Sequence, residues 1–376
     1  MLGVPYARVL AESTSPLLVR PRVALVIGDT AGHAYPAVAL AEALRAREPM
    51  ARITFIAAPQ STAAGILTRE GISFQSVPGA PIRGVRASDL VRNLWITTHA
   101  VAAARRLLAD GAIELVVGFG GYATGGVLLA ARTLGLATLI HEANVEPGLA
   151  NRWLRLIVDR TCVAHAEAIP RAVAVGMPVR SAIARLDAAR QAPAGRPLRV
   201  LVATGSRGAS FFERVMPVAV LRALQAGVPL ELVQQSVDDQ SDLGRIYHAM
   251  GVQARVAPFF TDMPSVYSWA DVAVTRGGAN TLAELAVAGL PAAVVPLADA
   301  AADHQRANAR RWSLAGAGPM VPETPEAGAQ LGQWLIAMGR NREHWESASA
   351  VALSLSQLDA AARLAECCCA LVRRVS

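Results

Sequence analysis

Along this 376-residue chain, short runs of uninterrupted apolar residues alternate with longer stretches in which apolar positions recur every three or four residues. The first pattern belongs to strands buried on both faces and the second to helices with one buried face, so the alternation predicts βαβ units around parallel sheets. In the first half, strands are expected at Val23 to Ile27, Ile53 to Ala57, Leu115 to Gly118 and Ala137 to His141. Helices are expected from about Pro36 to Arg47, near Ser61 to Glu70, and from Gly126 to Leu134. The second half repeats the scheme, with strands at Arg199 to Ala203, Leu230 to Gln234, Ala254 to Ala257, Val272 to Thr275 and Ala292 to Val295. Beyond Pro322 the pattern is helical, from Pro325 to Gly339 and from Arg342 to Val375, with room for a break in the last stretch.

Glycines end several of these strands abruptly. Val23 to Ile27 runs into Gly28-Asp29-Thr30-Ala31-Gly32-His33, and Leu115 to Gly118 into Gly120-Gly121-Tyr122. Arg199 to Ala203 runs into Thr204-Gly205-Ser206-Arg207-Gly208, and Val272 to Thr275 into Gly277-Gly278. Amide groups in the first turn of a helix lack partners and carry partial positive charge, and glycine lets a ligand approach the main chain, so such loops suit an anion such as a diphosphate. The spacing at Gly28 matches neither the dinucleotide fingerprint nor the phosphate loop of nucleotide hydrolases.

Length and composition narrow the classes. A chain of 376 residues exceeds what one core usually supports, and 53% hydrophobic against 17% charged residues makes large cores easy and disorder improbable. The formal charge of +7 comes entirely from arginine, since the chain has no lysine, and a basic surface suits an anionic membrane or a phosphorylated substrate. With 5% aromatic residues and no recognised motif, no nucleic-acid partner is expected. Cys162 and the run Cys367, Cys368, Cys369 have the spacing of neither a zinc site nor a disulfide framework and read as reduced thiols. Asp238-Asp239 is adjacent rather than an Asp-x-Asp pair, so no metal and no other cofactor is expected. No apolar run is long enough to span a bilayer, and residues 1–21 read as a flexible leader rather than a signal peptide.

Several polar residues carry two readings. His33, at the start of a helix, is an exposed or capping histidine, or a general base able to take a proton near neutral pH. Glu142 is a loop carboxylate capping the next helix, or a group in a binding cleft. Thr281-Leu282-Ala283-Glu284 has the form of a capping box, which competes with a ligand-binding role for Glu284. Pro81 to Trp95 mixes Arg83, Arg86 and Arg92 with Ile82, Val85, Leu90, Leu94 and Trp95, which is either a helix with one core face or a patch dipping into an anionic leaflet.

Taken together, RGGANTLAELAVAGLP followed by VVPLADAAADHQRANAR, HEANVEPGLANRW, GDTAGH, GMPVR and FFTDM resemble the MurG family of glycosyltransferases over roughly residues 22 to 340. The resemblance implies an α/β fold of the GT-B class, two doubly wound Rossmann-like domains facing a cleft. It implies an acceptor and membrane domain at 22–179, a nucleotide-sugar domain at 180–345, and a terminal helix, 346–376, returning to the first domain. The implied activity is inverting transfer of N-acetylglucosamine from UDP-N-acetylglucosamine to a polyprenyl-diphosphate-linked muramyl-pentapeptide, in peptidoglycan synthesis, at the cytoplasmic face of the bacterial inner membrane.

By the same resemblance, His33 and Glu142 are the catalytic candidates, and Thr30, Gly32, Tyr122 and Asn144 line the acceptor cleft. Arg180, Ser206, Gly208, Phe260, Met263, Gly278, Ala279, Asn280, Thr281, Glu284 and Gln305 are assigned to the donor, with Glu284 on the ribose, Gln305 on the sugar, and Phe260 and Met263 walling the base. Asp29, Ala31, Ala143, Thr204 and Arg207 depart from the family pattern. They leave open two alternatives: a relative glycosylating another acceptor, and a catalytically weakened scaffold that binds the nucleotide sugar.

Overall fold

The computed structural model describes residues 21–78, 87–187, 190–205, 209–298 and 303–375. In chain order its elements are β1 (Arg22–Ile27), α1 (Ala31–Arg47), β2 (Arg52–Ala57), α2 (Thr62–Arg69), β3 (Phe74–Ser76), α3 (Ala87–Asp110), β4 (Leu115–Gly118), α4 (Tyr122–Thr133), β5 (Ala137–Glu142), α5 (Leu149–Leu154), β6 (Arg160–Val163) and β7 (Val173–Ala174). There follow α6 (Ser181–Ala184), β8 (Leu198–Ala203), α7 (Ala209–Gln225), β9 (Leu230–Gln235), α8 (Leu243–Ala249), β10 (Gln253–Ala257), α9 (Met263–Trp269), β11 (Val272–Thr275), α10 (Ala279–Val287), β12 (Ala292–Val294), α11 (His304–Ala315), α12 (Ala327–Arg340), α13 (Arg342–Ser354) and α14 (Ala360–Val375).

The chain divides into two compact units, one running to Arg180 and rejoined by the chain from Asp359, the other Ser181–Leu358. The first unit holds a seven-stranded sheet in the order β3-β2-β1-β4-β5-β6-β7 and the second a five-stranded sheet in the order β10-β9-β8-β11-β12. Every strand pairing is parallel. The central strands are apolar on both faces, as parallel strands covered by helices on both sides must be: β4 and β11 are buried throughout.

Each sheet reverses its winding once, between β1 and β4 in the first unit and between β8 and β11 in the second. At such a point the loops leaving two neighbouring strands diverge to opposite faces and open a crevice at the carboxyl ends. Val26 pairs with Gly118, so the loops after β1 and β4 leave the sheet side by side; Thr275 pairs with Ala203, which does the same for those after β8 and β11.

Helix starts differ from the sequence expectation. α1 begins at Ala31, not near Pro36, and Pro36 lies inside it. The missing N–H of Pro36 would have bonded Gly32, a single lost bond next to the helix entry, and the start of α1 forms regardless. α4 begins at Tyr122, ahead of Gly126, with Gly121 at the cap.

The end of the chain also divides differently. α13 stays with the second unit, where Trp345 Nε1 donates to the Asp271 carbonyl at 3.0 Å and Ser349 Oγ to that of Gly289 at 2.7 Å. The chain rejoins the first unit only from Asp359, not from 346. There α14 buries Leu364, Ala365, Cys368 and Leu371 in the same core as Leu40 and Leu44 of α1, flanked by Arg47–Glu366 at 3.2 Å and Arg373–Glu48 at 3.8 Å. All four cysteines are buried and unbridged. Among the described residues no helix is long and apolar enough to cross a membrane.

Candidate functional site

In the first unit, the loops after β1 and β4 touch through their backbones. A methyl group on Gly121 would meet the Gly28 main chain, and one on Gly28 would lie 2.8 Å from the Gly121 Cα. Gly120 and Gly121 have φ of +98° and +86°, a conformation that side chains disfavour, so the approach depends on glycine twice over. His33, in the first turn of α1, is wedged at this junction. Its Nδ1 is 2.6 Å from where a methyl on Gly28 would stand, and its Nε2 3.1 Å from the corresponding position on Gly120. Thr30, at the cap of α1, places its hydroxyl 3.2 Å from Nδ1. Gly32 follows in the same turn, exposed.

Next to this junction, the end of β5 supplies a second, fully organised group. Glu142 is 2% exposed. One carboxylate oxygen accepts the Asn144 N–H at 2.9 Å and the Asn144 side-chain amide at 3.0 Å; the other accepts the Gly148 N–H at 3.1 Å and the Asn151 amide at 2.9 Å. These four donors hold the turn between β5 and α5, so Glu142 is an organiser of that turn. Asn151 Oδ1 is buried without a hydrogen-bond partner, and its amide nitrogen lies 3.8 Å from a methyl position on Gly120. Asn151 thus joins the Glu142 turn to the His33 junction. His141, one residue earlier, is buried with Nε2 2.9 Å from the Gly176 carbonyl oxygen. Burial lowers its pKa, against the raising effects of that hydrogen bond and of Glu142.

The outer side of α5 has the opposite character. Leu149 and Trp153 of α5, and Leu156 and Ile157 of the turn that follows it, are exposed, Trp153 at 64% and Leu156 at 65%, as are Arg152 and Arg155. Large apolar side chains so grouped, rimmed by arginines, form a patch rather than scattered exposure.

In the second unit, α10 starts directly after the Gly277-Gly278 loop with Gly278 at its cap and no side-chain cap bond. Glu284 therefore sits in the second turn, and the capping box does not form. Its carboxylate is buried and receives the Tyr267 hydroxyl at 2.8 Å and the Asn280 amide at 3.3 Å. Asn280 Oδ1 is buried without a partner. Ala279, Asn280 and Thr281 make up the first turn, whose N–H groups have no partner within the helix. A methyl on Gly277 would strike the backbone of Gln305, 3.1 Å from its Cα, and Asn308 Nδ2 donates to the Gly277 carbonyl at 3.0 Å. Gln305 Oε1 accepts the Leu297 N–H at 3.0 Å. On the neighbouring strand end, Gln235 Oε1 accepts the N–H groups of Thr204 and Gly205 at 2.9 and 3.2 Å.

The remaining sequence-assigned residues divide as follows. Phe260 is buried beneath Arg255, whose guanidinium lies 4.8 Å from the ring centre, and Met263 opens α9, half-buried. Arg180 belongs to the first unit, stacked 3.9 Å over Tyr35 and 3.8 Å from Glu70. Ser206 and Gly208, residues 1–20 of the leader and residues 79–86 lie outside the described residues, as do the side chains of Tyr122 and of 87–95. Asn151 and Tyr267 were absent from the sequence-based assignment; contacts across nine and seventeen residues leave no trace in local spacing. Among the described residues no group of three His, Cys, Asp or Glu side chains is placed to hold a metal ion.

Comparison with known proteins bears on this arrangement. The glycosyltransferase family 28 N-terminal domain matches residues 23–163 and the glycosyltransferase family 28 C-terminal domain residues 199–364. The UDP-N-acetylglucosamine–N-acetylmuramyl-(pentapeptide) pyrophosphoryl-undecaprenol N-acetylglucosamine transferase of Desulfotalea psychrophila is 35% identical over 364 residues, covering 94% of this chain and 98% of its own. The protein of the same name from Chromohalobacter salexigens is 35% identical over 356 residues, covering 92% and 96%. The crystal structure of Acinetobacter baumannii MurG aligns with a TM-score of 0.74 at 29% identity, covering 93% of this chain and 99% of that one.

The environment of His141 generates a test by titration. Its folded pKa is lowered below the unfolded value of about 6.5, so its contribution to stability is present above that pH and is lost as pH falls toward the folded pKa. In urea unfolding followed from about pH 7.5 to pH 5.5, the wild-type midpoint should fall more steeply than that of His141→Gln, which cannot protonate; parallel curves would refute a neutral, buried His141.

Proposed function

This chain belongs to glycosyltransferase family 28, and on that premise we propose that it moves N-acetylglucosamine from UDP-N-acetylglucosamine to a hydroxyl of a polyprenyl-diphosphate-linked muramyl-pentapeptide, with His33 as the general base. The observation that carries the reading is the wedging of His33 between two glycine backbones at the switch point of the first sheet, with Thr30 on Nδ1. In the tautomer that donates Nδ1–H to the Thr30 hydroxyl, the basic lone pair is on Nε2. The acceptor hydroxyl loses its proton to Nε2 as its oxygen attacks the anomeric carbon. The bond from that carbon to the diphosphate breaks, and UDP leaves with the electron pair. Attack opposite the leaving group inverts the anomeric centre. Glu142, with four donors on its two oxygens, is better suited to fixing the Asn144 and Gly148 turn than to accepting a proton.

The donor is assigned to the second unit. The first-turn N–H groups of α10, at Ala279, Asn280 and Thr281, and the dipole of that helix would stabilise the negative charge of departing UDP. Glu284, already aimed by Tyr267, is assigned to the ribose hydroxyls, and Gln305 to the sugar. Phe260 and Met263 are assigned to the base.

A lipid-linked acceptor requires the enzyme to work at a bilayer, and we assign it to the cytoplasmic membrane surface as a peripheral protein. The exposed patch formed by α5 and the turn after it supports this, because the inner side of α5 carries Asn151 of the Glu142 and His33 cluster. Apolar side chains would enter the interface while Arg152 and Arg155 meet anionic headgroups.

Two experiments test the proposal. With UDP-N-acetylglucosamine and a soluble analogue of the lipid-linked muramyl-pentapeptide, the product mass should rise by one N-acetylhexosamine, and His33→Gln should lower kcat by about 10²- to 10⁴-fold with the donor KM little changed. No product, or an unaffected His33→Gln variant, would overturn it. The double variant Trp153→Ser with Leu156→Ser should weaken binding to phosphatidylglycerol vesicles by at least about tenfold, while turnover of the soluble acceptor is retained; unchanged vesicle binding would remove α5 from the membrane contact.

A further inference from the structure

Directly after β11, between a wholly buried strand and the Gly277-Gly278 loop, stands a charge with no role in the reaction derived above. Arg276 is 6% exposed. Its guanidinium lies 5.1 and 4.9 Å from the ring centres of Phe211 and Phe212 on α7, donates to the Val295 carbonyl at 3.3 Å, and donates to Glu323 Oε1 at 2.7 Å. The other oxygen of Glu323 accepts the Ala298 N–H at 2.9 Å. Burial would raise the Glu323 carboxyl, but hydrogen bonds from Arg276 and Ala298 and the Arg276 charge outweigh it, and its pKa is lowered. The pair is therefore ionised at neutral pH.

Both ends of this pair lead to one residue. Arg276 is followed by Gly277, whose α-carbon packs on the backbone of Gln305. Glu323 holds Ala298, whose neighbour Leu297 donates its N–H to the Gln305 side chain at 3.0 Å. The main chain of Gln305 is reached from Arg276 through Gly277, and its side chain from Glu323 through Ala298 and Leu297. Burying two charges is costly unless their geometry is fixed by further hydrogen bonds, and here those bonds go to the segments that carry Gln305.

We propose that the Arg276–Glu323 ion pair is a positioning device that sets Gln305 for the sugar of the nucleotide-sugar donor, and so separates recognition of the sugar from recognition of the nucleotide. The inference rests on the assignment of the donor to the second unit. Neither member touches the donor. Glu284, held by Tyr267 and Asn280, and the first turn of α10 are assigned to the nucleotide.

The test is calorimetric titration of the full chain with UDP and, separately, with UDP-N-acetylglucosamine. In Glu323→Gln, affinity for UDP-N-acetylglucosamine should fall by about tenfold, the scale of one charge-assisted hydrogen bond, while affinity for UDP stays within about twofold. Loss of both affinities in equal measure, or of neither, would overturn the inference. Because Glu323→Gln leaves Arg276 without its counter-charge, the paired replacement Arg276→Met with Glu323→Leu supplies a second variant without a buried charge; it should show the same selective loss, and full sugar affinity in it would also overturn the proposal. Glu284→Gln serves as the control for the site itself: it should weaken both ligands, and if it weakens neither, the donor assignment fails rather than the positioning role.

Discussion

The first unit depends on one close approach. The backbone at Gly28 and that at Gly120 and Gly121 come together at the point where the sheet reverses its winding, at a distance that no side chain permits. Everything assigned to proton transfer follows from it. With the two loops in contact, the first turn of α1 is brought over the end of β4, and His33 is held between two glycine backbones rather than projecting freely. Asn151 reaches the same place from α5 and carries with it the turn that Glu142 organises. The base and the structure supporting it are thus fixed by packing of main chain, which tolerates far less displacement than contact between side chains.

The second unit solves a related problem differently. Its crevice also lies at a winding reversal, but polar side chains do the supporting. Gln235 binds the amides after β8, Asn308 the carbonyl of Gly277, Tyr267 the carboxylate of Glu284, and Arg276 with Glu323 ties three segments together. Such an arrangement suits a site that must recognise hydroxyls and phosphates, where an unpaired buried polar group costs more than the bond contributes. Arg190 shows the same economy away from the crevice: half-buried, it donates to the carbonyls of Tyr267, Ala270 and Ala288 and draws the chain entering the unit onto α9 and α10.

Much of this was legible in the sequence because strands buried on both faces leave an unmistakable apolar run and glycines mark their ends. The nine strands expected from Val23 to Val295 all lie in the two sheets, and the two reversals of winding appear where glycine loops had been read, a match that needs only local pattern. What local pattern could not carry is contact at a distance. The Thr281 to Glu284 spacing imitates a capping box, yet Gly278 is the cap because the chain turns into the helix at the glycine pair. Pro36 looked like a helix start, but α1 already begins at Ala31 and puts His33 in its first turn. Arg276 did leave a signal, a lone charge at the end of an apolar strand, whose meaning waited on Glu323, 47 residues later. The stretch from 346 read as one with the terminal helix because both are amphipathic; hydrogen bonds of Trp345 and Ser349 to the second unit decide otherwise.

The measurement that bears most directly on the central claim compares transfer with donor binding in Gly121→Ala. A methyl there meets the Gly28 backbone and forces the two loops apart, while Glu284, Gln305 and the first turn of α10, assigned to the donor, lie in the other unit. The account predicts that transfer to the soluble acceptor falls by about 10²-fold or more, the cost of a displacement of about 1 Å at the reacting groups, with affinity for UDP-N-acetylglucosamine preserved. Transfer near the wild-type rate would contradict it.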